Sequence, residues 1–238
     1  MKIKSEAINP NTLSRIPLRH NSRNTVVLKF GGTTLGSSQE DQRIKLARLT
    51  IAELLEQGKF VVPVFSALRF GRSGTKEKFS VTDFLQNYRA KIRAAENPEQ
   101  AIEEFRQKLQ EVHNGVISDL GLNGFGDVDA IVAKEIQWIC ETVAATTVAF
   151  EEIPSLDDSI VTAGERMAIQ IMAAYFNKSH QEGKFPIPAQ PVSALELGLY
   201  TDNRFGAANI DWSRAIEHTR ETVIGQFLDA NIMPVVSG

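Results

Sequence analysis

A chain of 238 residues, 42% hydrophobic and 23% charged, is long enough for one large α/β domain with a packed core and is not composed like a disordered or fibrous protein. Its formal charge of −3 lacks the basic excess of a general nucleic-acid binder. A single cysteine, Cys140, excludes an intrachain disulfide and a cysteine metal cluster, and no apolar run approaches the length of a membrane span.

Residues 1–24 are polar and basic, with Lys2, Lys4, Arg15, Arg19 and Arg23 and no apolar signal core. They read as a tail ahead of a cytoplasmic domain over 25–238; Glu6 and two prolines argue against an organelle leader. The β-branched run Thr25–Phe30 predicts a buried strand, stopped by Gly31-Gly32. Ser37-Ser38-Gln39-Glu40 offers caps for a helix over Arg43–Glu56, whose apolar residues fall on one face, and Gly58 ends it. Phe60–Phe65 predicts a second strand, so the order strand, helix, strand implies a parallel βαβ unit. A polar loop, Arg69–Ser80, follows, with Arg69, Arg72, Lys76 and Lys78 and with Gly71 and Gly74 as hinges. It is read either as a lid or intersubunit contact or as a solvated insertion.

Val81–Gly121 reads as helical with a break near Asn97-Pro98, and Asp127–Phe150 as another helix. Leu156–Tyr175 reads as a helix around Gly164, Phe185–Val192 as extended, Ile216–Ala230 as a helix and Ile232–Val236 as a last strand. Cys140 falls in an apolar helical run and is expected in the core. His20, His113, His180 and His218 share no ligand spacing and read as surface or satisfied histidines. The fold predicted is α/β, a largely parallel sheet with helices on both faces and a helical insert. The chain ends at Ser237-Gly238, where the carboxyl end of a strand would release a functional loop.

Four segments have chemistry-bearing residues. In Lys29-Phe30-Gly31-Gly32-Thr33-Thr34 a lysine ends a strand and two glycines open the backbone, so N–H groups and an ammonium suit a phosphate. The spacing is neither a Walker loop nor a dinucleotide fingerprint, and the same run also reads as a plain turn. In Thr162–Ala168 a glycine inside a helical stretch requires a reason, and Glu165 beside it suits an ammonium; the other reading is a kink with a surface glutamate. In Tyr200–Gly206 a turn presents Arg204, either to a carboxylate or to Asp202. Ser66-Ala67 and Thr82-Asp83 put hydroxyls at a strand end and a helix start, where Ser80 or Thr82 can equally cap the helix.

Together these segments, with Gly164-Glu165-Arg166-Met167, Thr201–Gly206 and Pro234–Gly238, resemble aspartokinases of the amino-acid kinase family in order and approximate spacing, over about Thr25–Gly238. The resemblance implies an enzyme that uses ATP with magnesium to make 4-phosphoaspartate, in the branch toward lysine, threonine and methionine. It implies that Lys29, with Gly31, Gly32 and Thr33, contacts the transferring phosphoryl group. Ser66, Ala67 and Thr82 would lie around aspartate, Glu165 would meet its α-ammonium and Arg204 its α-carboxylate. No protein metal ligand, nucleic acid or membrane partner is implied, and a homo-oligomer is expected. The family's Gly-Gly-Ser-Asp and adenine-contacting segments would follow Gly238, so the chain is expected to be the substrate-binding part, inactive alone. An exposed sheet edge beside the last strand is expected with it. Ala168 stands where a serine is usual, and the Arg69–Ser80 loop is longer than the pattern. A related kinase of another acid or carbamate, or a half-kinase binding module, are the alternatives.

Overall fold

The computed structural model describes residues 24–35, 43–71, 78–148, 153–221 and 226–238. The expected tail and the Ser37–Glu40 caps lie outside these residues. Strand β1 (Thr25–Phe30), the short helix α1 (Gly32–Leu35), helix α2 (Arg43–Glu56) and β2 (Phe60–Phe65) form the first βαβ unit. β1 and β2 run parallel, in register from Thr25 opposite Phe60 to Phe30 opposite Phe65. Strands β5 (Ala189–Val192) and β6 (Met233–Ser237) complete a four-stranded sheet in the order β1-β2-β6-β5, every pair parallel. Because all strands point the same way, the ends of β1, β2, β5 and β6 gather at one edge.

The expected exposed edge beside the last strand is not found: β6 lies inside the sheet, between β2 and β5, and the outer strands are β1 and β5. Along the sheet the chain steps from β1 to β2, passes to the outer strand β5, and returns to insert β6 between β2 and β5. Pro63 and Pro234 lack an N–H, and the β2–β6 ladder is confined to Val64–Val236 and Phe65–Ser237, beyond both prolines. Pairing between these strands is therefore concentrated at their carboxyl ends.

The run Phe60–Phe65 is almost continuously buried because both faces of β2 are covered. Val61, Phe65, Met233 and Val235 join the main core with α2 and the later helices, while Phe60, Val62 and Val236 pack with Leu197, Phe227 and Leu228 on the other face. That second covering is thinner, and the buried strand expected over Thr25–Phe30 is corrected: β1 is an outer strand with no buried residue, and Val27 is 65% exposed.

Arg69–Ser80 is not simply a loop. β3 (Arg69–Gly71) and β4 (Lys78–Ser80) pair antiparallel, and residues 72–77 between them, with Arg72, Gly74 and Lys76, lie outside the described residues. The helical insert follows as α3 (Val81–Gln86), α4 (Tyr88–Arg93), α5 (Pro98–Asp119) and α6 (Val128–Val148). The Asn-Pro pair starts α5: the Asn97 side chain accepts a hydrogen bond from the Gln100 N–H at 3.1 Å, and Pro98 occupies the first turn. Cys140 is buried in α6, as expected, and burial pushes its thiol up to about 11. His113 is a partial correction to the reading of satisfied histidines. It is buried in α5, its Nδ1 lies 2.7 Å from the Leu109 carbonyl, and its Nε2 has no partner.

The predicted helix over Leu156–Tyr175 is two helices, α7 (Pro154–Val161) and α8 (Ala163–Gln181), divided at Thr162. The extended reading of Phe185–Val192 holds only for β5. The last helix, α9 (Trp212–Glu221), starts earlier than its apolar residues suggested and precedes the described turn over 226–231. Among the described residues no helix is long and apolar enough to cross a membrane.

Candidate functional site

The carboxyl ends of the strands are tied together by backbone bonds. The Ser66 N–H donates to the Phe30 carbonyl at 3.1 Å, and the Gly238 N–H to the Phe65 carbonyl at 3.1 Å. The chain then passes through Ala67, on which three predicted segments converge. A Cβ on Gly32 would sit 2.5 Å from the Ala67 carbonyl oxygen and 3.0 Å from the Arg69 Cβ. A Cβ on Gly164 would sit 2.8 Å from the Ala67 Cβ and 3.0 Å from a Val81 methyl. Real Cβ contacts are not that short, so both positions need glycine for packing. Gly164 is therefore neither an interior kink nor a direct ligand approach. It lies in the first turn of α8 and lets that turn press on the β2 end.

This close approach delivers Glu165 to the strand ends. Its carboxylate accepts hydrogen bonds from its own N–H and that of Ala67 and feels the charge of Lys29. Burial outweighs these effects and raises its pKa above the usual carboxylate value. Its Oε2 is buried without a hydrogen-bond partner among the described residues. A buried carboxylate with an unused oxygen favours a cation that brings its own donors. The reading of a surface glutamate is excluded.

Lys29 extends from the end of β1 across Val64. Its Nζ lies 3.3 Å from where a Cβ on Gly238 would stand. Gly31 has positive-φ freedom it does not use, and among the described residues no atom beyond its chain neighbours lies within 4 Å of its would-be Cβ. Gly32 then starts α1, and the first N–H groups of a helical turn have no intrahelical partner. The Arg43 guanidinium donates to the Thr33 carbonyl at 3.0 Å and pins the turn from α2.

Ser66 is half-buried at the β2 end, next to Ala67. The capping alternatives are resolved in favour of Ser80, whose Oγ accepts from the Asp83 N–H at 3.2 Å at the start of α3. Thr82 stands in the first turn of α3, next to Val81, which touches Gly164. Lys29, the glycine turn, Ser66, Ala67, Thr82 and Glu165 thus surround one edge of the sheet.

Arg204 stands apart. Its side chain is 76% exposed, with Nε 3.7 Å from the Asp202 carboxylate. Asp202 accepts from the N–H groups of Arg204 and Asn209 and from the Asn209 amide, which closes the turn and lowers the Asp202 pKa. The turn docks on α7 through a 2.9 Å bond from the Gly206 N–H to the Asp158 carboxylate. The Asp202 pairing anticipated for Arg204 is what the structure contains.

Arg166 follows Glu165 in the Gly-Glu-Arg-Met run. It turns away from Glu165: its Nε donates to Glu135 of α6 at 2.9 Å, and the guanidinium lies 5.4 Å from the Trp138 ring. Only an arginine directly after a site glutamate hinted at this. Cavities among the described residues lie elsewhere, one of about 500 Å³ beside Asn177 and His180 and another of about 480 Å³ beside Trp138 and Arg166. Among the described residues no group of three or more His, Cys, Asp and Glu side chains could hold a metal ion.

Aspartokinase 3, chloroplastic, of Arabidopsis thaliana is 25% identical over 214 residues, which are 90% of this chain and 34% of that protein. Aspartokinase 2, chloroplastic, of the same plant is 23% identical over the same shares. The chain thus spans about one third of the length of these curated relatives. Among solved structures, E. coli aspartokinase III in complex with lysine and aspartate superposes with a TM-score of 0.68 at 18% identity, over 90% of this chain and 41% of that one. Clostridium acetobutylicum aspartate kinase superposes with a TM-score of 0.58 at 18% identity, over 90% and 39%. At these identities the structures show a shared fold. The model of the amino acid kinase family matches residues 24–238, and the chain belongs to that family.

Proposed function

We propose that this chain binds aspartate at the strand ends as part of a kinase that phosphorylates the aspartate side-chain carboxylate with ATP. The observation that carries the reading is Glu165: a desolvated carboxylate, held by the Ala67 N–H, with a buried oxygen still lacking a partner. An α-ammonium would supply both the missing donor and the positive charge that burial has made favourable. Ser66 and Thr82 offer hydroxyls beside it. Arg204 would leave Asp202 and grip the α-carboxylate with two parallel bonds, because its exposed fork is free to turn.

The side-chain carboxylate then remains to attack the γ-phosphorus. One of its oxygens forms the new P–O bond, the bond to the bridging oxygen breaks, and ADP departs with that electron pair. Lys29 would stabilise the charge spreading over the transferring group, with the N–H groups of Gly32 and Thr33 and the open space at Gly31 admitting its oxygens. The catalytic contribution is positioning and charge, with no covalent enzyme intermediate. Magnesium would come with ATP, held mainly by the phosphates, and would neutralise charge on the transferring group.

Isothermal calorimetry with the chain tests the reading. Aspartate is expected to bind, and glutamate, carbamate and acetate to bind at least tenfold more weakly, since a site that pairs each polar group rejects analogues leaving one unpaired. A preference for another acid would replace aspartate in the reading. The absence of any amino-acid binding would remove it.

A further inference from the structure

The two groups assigned to the amino acid lie on different elements, Glu165 on α8 and Arg204 on the Thr201–Ile210 turn, and nothing in their own contacts joins them. Helix α7 does. In its second half the Asp158 carboxylate accepts the Gly206 N–H at 2.9 Å, two residues from Arg204. At the next residue the Ser159 carbonyl accepts from the Arg166 guanidinium at 3.1 Å, and the Thr162 hydroxyl accepts from it at 3.0 Å, across the break between α7 and α8. The Thr162 hydroxyl in turn donates to the Asp158 carbonyl at 2.9 Å. Arg166 is held from behind by Glu135 of α6 and by the Trp138 ring. The Tyr88 hydroxyl, donating to Asp157 at 2.8 Å, fixes the middle of α7 to α4.

We infer that the last turn of α7 is a bracket that sets where the Arg204 turn stands relative to Glu165, with Asp158 and Arg166 as the positioning residues that tie it to the one and to the other. Neither side chain touches substrate. Arg166 holds the break at Thr162 in one geometry, and Glu165 sits three residues beyond that break. Asp158 holds the turn that presents Arg204. The planar fork matters because it serves three partners on α6 and α7 at once, which a lysine ammonium on a flexible stem cannot reproduce. The buried surroundings favour this assignment over a surface ion pair: the Arg166 and Glu135 side chains are 32% and 26% exposed, whereas free surface pairs contribute little.

The inference rests on the proposed amino-acid site, and the test separates the two. Arg166→Lys and Asp158→Asn are made in the whole chain, with Arg166→Met as a third variant only if it folds. Aspartate binding is followed by calorimetry, and amide hydrogen exchange is followed over residues 153–166 and 200–210 without ligand. Arg166→Lys is expected to weaken aspartate about tenfold, the loss of one charge-assisted bond's worth of positioning, and Asp158→Asn about threefold. Exchange should accelerate over 160–166 in the first and over 200–210 in the second. The double variant should be less than additive, since both contacts act through one turn of α7. Affinity within twofold of the parent in both single variants, with unchanged melting temperature, overturns the bracket. If the parent binds no amino acid, the proposed function fails, and the exchange pattern alone decides: separate acceleration in each segment supports the bracket, and none in either segment overturns it.

Discussion

The start of α8 and the middle of α5 each bury a titratable side chain with one polar atom left without a partner, yet they are different kinds of place. His113 is packed among helices, makes a single 2.7 Å bond to the Leu109 carbonyl in its own helix, and is kept neutral, its pKa lowered to about 4. Glu165 lies where strand ends, a helix start and the charge of Lys29 meet, beside open space at Gly31. Burial shifts both, but only Glu165 has a cation near it and room for a ligand. An unpartnered buried atom therefore points to a site only where charge and space converge on it. At His113 it marks a strain on the fold that is paid in acid.

The largest effect should come from His113. Its folded pKa lies below the ordinary 6.5, so the unfolded chain takes up a proton first as pH falls. The fold is fully favoured above 6.5 and loses about 3 kcal/mol on going down to about 4, by linkage. Denaturant unfolding at pH 7 and pH 4.5 should show this loss, and His113→Leu should remove most of the slope in that window. An equal slope in the variant would assign acid sensitivity to other groups.

Next come the paired glycines of the first turn. Gly32→Ala places a methyl 2.5 Å from a backbone oxygen that cannot turn away, and should destabilise by about 2–3 kcal/mol. Gly31→Ala meets no protein atom and should change stability by less than about 0.5 kcal/mol, while obstructing any phosphate that approaches there. Melting curves of the two variants, with and without nucleotide, check both statements.

Glu165→Gln should separate stability from binding. The raised carboxyl pKa means that the folded state resists ionisation, so its contribution to stability declines as pH rises from the ordinary carboxylate range through the folded pKa. At pH 7 the neutral amide should therefore melt no lower than the parent. Aspartate affinity should nonetheless fall by about 2 kcal/mol, roughly thirtyfold, through loss of one charge-assisted bond. A lower melting temperature with unchanged affinity would make Glu165 a structural residue like His113.

The smallest expected change is at Arg204, whose exposed side chain contributes little to the free fold. Arg204→Lys should leave the melting temperature within about a degree, as surface substitutions do, and weaken aspartate by a few-fold to tenfold through loss of the planar fork. Nucleotide affinity should not move. Equal weakening of both ligands would take Arg204 out of the amino-acid site.

Local signals in the sequence carried much of this. The β-branched runs at Thr25–Phe30 and Phe60–Phe65, the Asn97-Pro98 start of α5 and the core place of Cys140 were legible because each depends on neighbours in the chain: alternation, a capping side chain, an apolar helical face. The resemblance to the family was legible for the same reason, since its motifs are short runs. What required the tertiary structure were contacts between residues far apart in sequence. The interior position of β6 is set by pairing with β2 and β5, strands far from it in sequence, and the antiparallel pairing of β3 with β4 by a register that no period shows. Gly164 looked like a kink until its neighbours proved to be Ala67 and Val81, from other elements. Glu165 and Arg204 read alike as charged residues after a turn or glycine, and only packing buried the first and left the second in solvent, because desolvation is a property of everything that folds around a group.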